Sequence, residues 1–270
     1  MRPIVLTIAG SDPSGGAGLQ ADLKTFTALG VYGASVVTAL TAQNTLGVSG
    51  IHKVPADFVR AQFQSVTSDL QVAAIKTGML GDAETVATVA GLLRTVHWPI
   101  VVDPVMVATS GDVLLEPGAI DAIRAKLVPL ARVITPNLPE AARLLETTLA
   151  HSENEVTAQA RALLELGCRA VLIKGGHGLG DEAIDVLVEG PSVYHFARPR
   201  IATRNTHGTG CTLAAAVASG LAQGIDLSDA VDRAKDFVWH ALKSGAQQRI
   251  GSGNGPLDFC FAVRNSIIRT

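Results

Sequence analysis

Apolar residues come in short unbroken runs, separated by stretches whose apolar positions recur at helical spacing, and this alternation organises the chain. Residues 4–9 form an apolar run ending at Gly10, the pattern of a strand buried on both faces. A polar loop at 11–18 follows, and Leu19, Leu23 and Phe26 then recur at i, i+4 and i+7 until Gly30, which predicts a helix. The next run, 34–40, ends in Thr41-Ala42-Gln43-Asn44-Thr45, and a helix is predicted over 55–70 with Phe58, Phe63 and Val66 on or near one face. Residues 72–75 read as a strand ending in Lys76-Thr77-Gly78-Met79, followed by a helix with Val86, Val89, Ala90 and Leu93 as its stripe. Strand 100–102 ends in Asp103-Pro104-Val105-Met106 and leads to a helix over 117–127, and strand 132–134 ends in Thr135-Pro136-Asn137-Leu138-Pro139-Glu140. A helix with Val156, Ala160, Leu163 and Leu164 on one face stops at Gly167, and strand 170–173 ends in Lys174-Gly175-Gly176-His177. Residues 184–188 and 192–196 flank Glu189-Gly190-Pro191 as a hairpin near the sheet edge. Two helices close the pattern, one to about 221 and one over 228–245, before a flexible glycine-rich turn at 251–256.

Strands alternating with helices call for an α/β fold with a mostly parallel sheet and helices on both faces, in which ligands bind beyond the carboxyl ends of the strands. The polar groups that end the predicted strands fall there. No repeat, low-complexity tract or compositional break divides the 270 residues, so a single domain over 1–270 is expected. The apolar share of 47%, the charged share of 17% and a net charge of −2 describe a soluble protein without the charge to capture nucleic acid or a membrane surface. Cys168, Cys211 and Cys260 show neither a disulfide framework nor zinc-ligand spacing. The first apolar run is too short for a secretory leader, and a cytoplasmic location is the default expectation.

The stretch Asn205-Thr206-His207-Gly208-Thr209-Gly210-Cys211-Thr212 runs directly into small apolar residues and reads as a glycine-loosened loop opening a helix. Successive N–H groups there, with the positive end of the helix dipole, make an anion cradle of the kind that holds phosphate. Cys211 falls in the first helical turn, where the helix terminus favours thiolate. The plainer alternative is a glycine turn capped by Thr209, with Cys211 a small buried residue. Asp103 and Glu140, at two strand ends, suggest Mg²⁺ only as a pair; singly, they read as a turn-forming Asp before Pro and as a favourable helix N-terminal charge. Lys174 before two glycines could meet a phosphate or end a strand in solvent, and Lys76 poses the same choice. His177 and His207 have no partner at metal-ligand spacing. Gly16-Ala17-Gly18-Leu19-Gln20-Ala21 only partly matches the dinucleotide fingerprint, since six residues, 10–15, separate it from its strand. Cradle, cysteine, paired carboxylates and lysine together form a kit for phosphoryl transfer by a small-molecule kinase.

Beyond this residue-level reading, the chain resembles the hydroxymethylpyrimidine/phosphomethylpyrimidine kinases of thiamine biosynthesis, members of the ribokinase-like superfamily. The resemblance rests on residues 9–24 (Ala9-Gly10-Ser11-Asp12-Pro13-Ser14-Gly15-Gly16-Ala17-Gly18 and the six that follow), Ala39 to Thr45, Lys76-Thr77-Gly78-Met79-Leu80, Asp103-Pro104-Val105-Met106, residues 135–141, Lys174-Gly175-Gly176-His177 and the 205–212 stretch, in the family's order. It implies a ribokinase-like three-layer sandwich that phosphorylates 4-amino-5-hydroxymethyl-2-methylpyrimidine and then its monophosphate with ATP as co-substrate. The pyrimidine is implied near Ala17, Asp22, Gln43, Met79 and Val105, with the Gln43 amide and the Asp22 carboxylate reading its ring nitrogen and amino edge. Lys174, Thr206, Gly208 and Gly210 fall on the implied nucleotide side, and Asp103 and Glu140 around Mg²⁺. Gly208, Thr209, Gly210 and Cys211 would form the anion hole, with Cys211, where related sugar kinases carry an aspartate base, accepting the hydroxymethyl proton or orienting that group. A homodimer is implied as well. The tail 251–258 departs from a family segment usually richer in histidine. Pyridoxal kinase of the same fold, a non-catalytic pyrimidine-binding protein and, more remotely, a dinucleotide-dependent oxidoreductase are the competing readings.

Overall fold

The computed structural model describes residues 2–261 other than 109, 110, 113, 117 and 179. Its chain order is β1 (Ile4–Ser11), α1 (Gly18–Ala28), β2 (Tyr32–Asn44), β3 (Gly47–Lys53), α2 (Ala56–Thr67), β4 (Val72–Thr77), α3 (Ala83–Leu93) and β5 (Ile100–Val102). Then follow α4 (Ala119–Ala122), β6 (Val133–Ile134), α5 (Leu138–Leu145), α6 (Glu153–Leu164), β7 (Ala170–Ile173), β8 (Glu182–Glu189), β9 (Ser192–Pro199), α7 (Thr209–Ala222) and α8 (Leu227–Gly245). One sheet of nine strands runs β3-β2-β1-β4-β5-β6-β7-β8-β9. Strands β2, β1, β4, β5, β6 and β7 are parallel; β3 pairs antiparallel with β2 at one edge, and at the other β8 pairs antiparallel with β7 and β9 antiparallel with β8. The chain leaves β1 toward β2 on one side and returns to β4 on the other, so the topological switch point lies at the carboxyl ends of β1 and β4.

The period-two alternation of strand side chains divides the core. Leu6, Ile8, Ile75 and Val102 join the layer under α2, α3, α5 and α6. Val5, Ala74 and Val101 face the opposite layer, with Phe26 of α1, Leu213–Ala218 of α7 and Val231 of α8. By the same alternation Lys76 returns to the α1/α7 face, where it stands in register with Thr7. Helix α7 is buried along most of its length because its residues are small: a Cβ on Gly220 would fall 2.7 Å from that of Ala230 on α8.

Several expectations change. Strand β2 runs on through Thr41–Asn44, placing Gln43 on a strand rather than in a loop. Strand β3 was not expected, because its largely exposed, apolar-poor residues carry no burial signal; pairing with β2 forms it. On α2 the buried face is Val59 and Phe63, with Phe58 exposed. Helix α4 starts at Ala119 and continues through a π turn and a 3₁₀ turn to Leu130, while the predicted start at Pro117 lies outside the described residues. Lys76 lies inside β4 and is wholly buried. The tail is strapped down rather than loose: Asn254 N–H donates to Thr45 O, and Gly255 O accepts from His207 N–H. The β8/β9 hairpin lies at the sheet edge, as the sequence predicts.

Candidate active site

The carboxyl ends of β1, β2, β4, β5 and β7 and the N-terminus of α7 surround a cavity of about 680 Å³. Gly208 caps α7 at φ +82, and a Cβ there would fall 1.8 Å from Gly16 O, so both its conformation and its space require glycine. No side chain caps the helix, which sets aside the cap expected from Thr209: its hydroxyl donates back to Thr206 O. Thr212 N–H already reaches Gly208 O, and the N–H groups of Gly210 and Cys211, for which helix geometry supplies no partner, remain for a ligand. With the helix dipole behind them they form an anion site.

Opposite that terminus, Lys174 Nζ lies 2.7 Å from Asp103 Oδ1 and 3.8 Å from Glu140 Oε2. A Cβ on Gly210 would come within 3.2 Å of the same ammonium, so lysine and anion site are contiguous. Burial works against the Lys174 charge, but Asp103 and Glu140 raise its pKa, so it remains an ammonium. Glu140 completes a capping box on α5: its Oε2 accepts from Asn137 N–H at 2.7 Å, and its own N–H donates to Asn137 Oδ1 at 2.8 Å. The helix-terminal role is therefore real, and the residue lines the cavity as well. Burial raises its pKa, against the pull of Lys174.

The fit of this corner to a cation can be judged from its charges. Asp103 Oδ2 is buried without a partner. Counting Lys76 and Lys174 against Asp22, Asp103 and Glu140 leaves one negative charge in excess when all are ionised. Among the described residues no group of three or more His, Cys, Asp or Glu could hold a metal by protein ligands alone. Mg²⁺, which binds through one or two carboxylates plus phosphate oxygens, suits such a site.

On the acceptor side Ala17, Gln43, Met79 and Val105 line the cavity, as do Thr206, Thr209 and Cys211 toward the anion site. Thr41 Oγ1 lies 2.8 Å from Ser11 O and 3.1 Å from Gln43 Oε1, which anchors the amide at the cavity wall. Asp22 is not in the wall. It is fully buried beneath it, bonded through Oδ2 to Thr7 Oγ1 at 2.6 Å and to Lys76 Nζ at 2.9 Å, so it cannot read a ligand edge. Burial alone would push the Asp22 carboxyl up and the lysine down. In contact, the Asp22 charge drives Lys76 well above its ordinary value, while burial outweighs the pull of Lys76 and the Thr7 bond and leaves the Asp22 carboxyl raised.

Cys211 is half-buried and faces the cavity. Its thiol is pushed up to about 11, first by burial, and then by the Asp103 and Asp22 charges. The Lys76 ammonium and a bond from the Gly18 backbone lower it without offsetting burial. The thiolate expected from the helix terminus is thus corrected to a thiol at neutral pH.

Two features were not legible. Asp12, 195 positions from His207, gathers the loop after β1 and binds that imidazole at 2.8 Å, and nothing local signals the pairing. A second arm of the cavity reaches β8, β9 and α8. There the buried Asp185 accepts from Gly175 N–H at 2.8 Å and from Lys235 Nζ at 2.7 Å. A lysine on the otherwise apolar face of α8 was its only trace.

A family model described as phosphomethylpyrimidine kinase matches residues 12–258. The chain is 52% identical over 257 residues to a hydroxymethylpyrimidine/phosphomethylpyrimidine kinase of Rhizobium meliloti, covering 95% of this chain and 97% of that one. Among solved structures it is similar to Bacillus subtilis pyridoxal kinase in an ADP complex, with a TM-score of 0.89 at 35% identity, covering 98% of this chain and all of the other. Phosphomethylpyrimidine kinase from Clostridium difficile matches with a TM-score of 0.80 at 39% identity, over 89% of this chain and all of that one.

Proposed function

The chain belongs to the phosphomethylpyrimidine kinase family and has its ribokinase-like fold, and from that premise we propose that it transfers the γ-phosphoryl group of ATP to 4-amino-5-hydroxymethyl-2-methylpyrimidine and then to the monophosphate, for thiamine biosynthesis. The observation that carries the reading is the convergence of the α7 N-terminus, Lys174 and Cys211 on one cavity wall. In-line transfer needs positioning and charge neutralisation more than covalent chemistry.

In this reading the free N–H groups of Gly210 and Cys211, with Gly208 and Thr209 shaping the turn, bind the transferring phosphoryl oxygens, while Lys174 and Thr206 hold the nucleotide phosphates. Asp103 and Glu140 would hold Mg²⁺ against those phosphates, and the ion supplies neutralisation of their charge. Gln43 offers an amide to the aminopyrimidine edge, and Ala17, Met79 and Val105 pack its ring. Cys211 acts as a thiol that orients the acceptor hydroxyl, whose proton passes late in a loose transition state to an oxygen of the transferred phosphoryl group. A single-domain homodimer working in the cytoplasm completes the proposal; the family resemblance supports the dimer.

A coupled ADP-release assay with Mg-ATP tests it, using the hydroxymethylpyrimidine, its monophosphate and pyridoxal in separate reactions. The two pyrimidines are expected to give turnover well above pyridoxal. A preference for pyridoxal, the substrate named for the Bacillus subtilis neighbour, would overturn the assignment. Binding of the pyrimidine without ADP release would reduce the chain to a binding protein.

A further inference from the structure

The loop after β1, residues 12–18 on the acceptor side, and the stretch 205–212 that opens α7 at the anion site are far apart in sequence, and one buried carboxylate oxygen joins this acceptor loop to this anion loop. Asp12 Oδ2 accepts from Gly16 N–H at 3.2 Å, from Ala17 N–H at 2.8 Å and from His207 Nε2 at 2.8 Å. Its other oxygen accepts from the Ser14 amide at 2.9 Å and the Ser14 hydroxyl at 2.7 Å. Both Asp12 and His207 are buried. Asp12 is held near 2, because the bonds from His207, Ser14 and Ala17 outweigh the burial that opposes them. At neutral pH the carboxylate only accepts, so the hydrogen of this contact sits on His207 Nε2.

The backbones interlock at the same place. A Cβ on Gly16 would fall 2.4 Å from His207 Cδ2, and one on Gly208, the neighbour of His207, would fall 1.8 Å from Gly16 O. The third side is closed by the tail: His207 N–H donates to Gly255 O at 3.0 Å, and Pro256 packs on Gly16. His207 touches neither Lys174 nor the carboxylates beside it, and nothing in the phosphoryl-transfer chemistry described above uses it.

We infer that His207 is a positioning residue that locks the acceptor loop to the anion loop, so that one rigid frame sets the distance between the acceptor hydroxyl and the γ-phosphoryl group. The inference rests on the kinase reading. Each loop holds its own ligand, so weakening the lock leaves binding largely intact and disturbs alignment, to which in-line transfer is steeply sensitive. A residue that merely stabilised the fold would not show that split.

The test compares wild type with H207F, which keeps a ring but loses the donor, with H207N, which is too short to reach Asp12, and with H207Q, which restores an N–H at similar reach. Turnover is measured below each variant's melting transition, and amide hydrogen exchange is followed on peptides spanning 12–18 and 205–212. Expected for H207F or H207N is a kcat at least tenfold lower, with both KM values within threefold of wild type. Exchange should accelerate in both peptides together, and H207Q should recover several-fold. A kcat within twofold of wild type in the folded donor-less variants, a loss confined to one KM, or faster exchange in one loop alone would overturn the lock. Absence of turnover by wild type on either pyrimidine would sink the kinase reading instead, and the exchange comparison would still decide the contact between the loops.

Discussion

The protonation state of Cys211 separates two mechanisms by several kcal/mol, and a pH profile tells them apart. With the thiol held at about 11, only about one molecule in 3,000 carries a thiolate at pH 7.5. A mechanism that required the thiolate would therefore start about 5 kcal/mol uphill, and its kcat would climb tenfold per pH unit from pH 7 to 10. The orienting role predicts no such climb, because the thiol keeps its proton across that range. Cys211→Ser, which retains a small donor and acceptor at the same position, is expected to lose no more than about tenfold in kcat. Cys211→Ala removes the contact and is expected to lose roughly 10- to 100-fold through misorientation of the hydroxyl. The assay is ADP release at saturating Mg-ATP and pyrimidine, run at half-unit steps from pH 7 to 10 for wild type and both variants. A slope of one in log kcat for wild type, together with an inactive serine variant, would refute the orienting role and restore the thiolate.

Three further outcomes follow from the same geometry. Lys76→Met strands the fully buried Asp22 and is expected to lower the unfolding free energy by about 3–5 kcal/mol, with part recovered in the Lys76→Met/Asp22→Asn double variant; denaturant titration reads both. Gly210→Ala places a methyl 3.2 Å from Lys174 Nζ and should fold normally while losing roughly tenfold in kcat, whereas Gly208→Ala meets Gly16 O at 1.8 Å and a positive φ and should fold poorly; circular dichroism and turnover together separate the two. Asp12 titrates lower in the folded chain than in the unfolded one, so its contribution of about 2 kcal/mol is complete above pH 4 and lost as pH falls toward 2. The stability gap between wild type and Asp12→Asn should narrow over that window, and a gap that stays constant would contradict the lowered value.

What was readable in advance has a physical pattern. Parallel strands buried on both faces announce themselves as apolar runs, so β1, β5 and β7 were visible, as were the polar groups at their carboxyl ends. The edge strand β3 was invisible because an exposed strand is specified by its partner rather than by its own burial. Gln43 lines the cavity from a strand rather than from the expected loop, since the register shift that carries β2 past Ala42 leaves no compositional mark. The pairing of Asp12 with His207 depends on the return of the chain after 195 residues, and the seating of the tail on Thr45 and His207 depends on the same closure. Local sequence carries neither.

The two lysines show why similar motifs acquire different work. Lys76 and Lys174 both sit near a strand's carboxyl end with glycine close behind, and sequence posed the same question of each. Lys76 is one residue short of the end of β4 and points into the α1 side of the sheet, where Asp22 and Thr7 complete a fully buried network. Its charge is committed to that contact, and its influence on the site is the field it places beneath Cys211. Lys174 lies one residue beyond β7, its side chain still partly exposed, and its partners Asp103 and Glu140 are the carboxylates best placed for a cation. An incoming phosphate can therefore draw Lys174 off Asp103 without stranding a buried charge, provided a cation takes its place at the carboxylates. A two-residue difference in where the strand ends separates a structural ion pair from an exchangeable one.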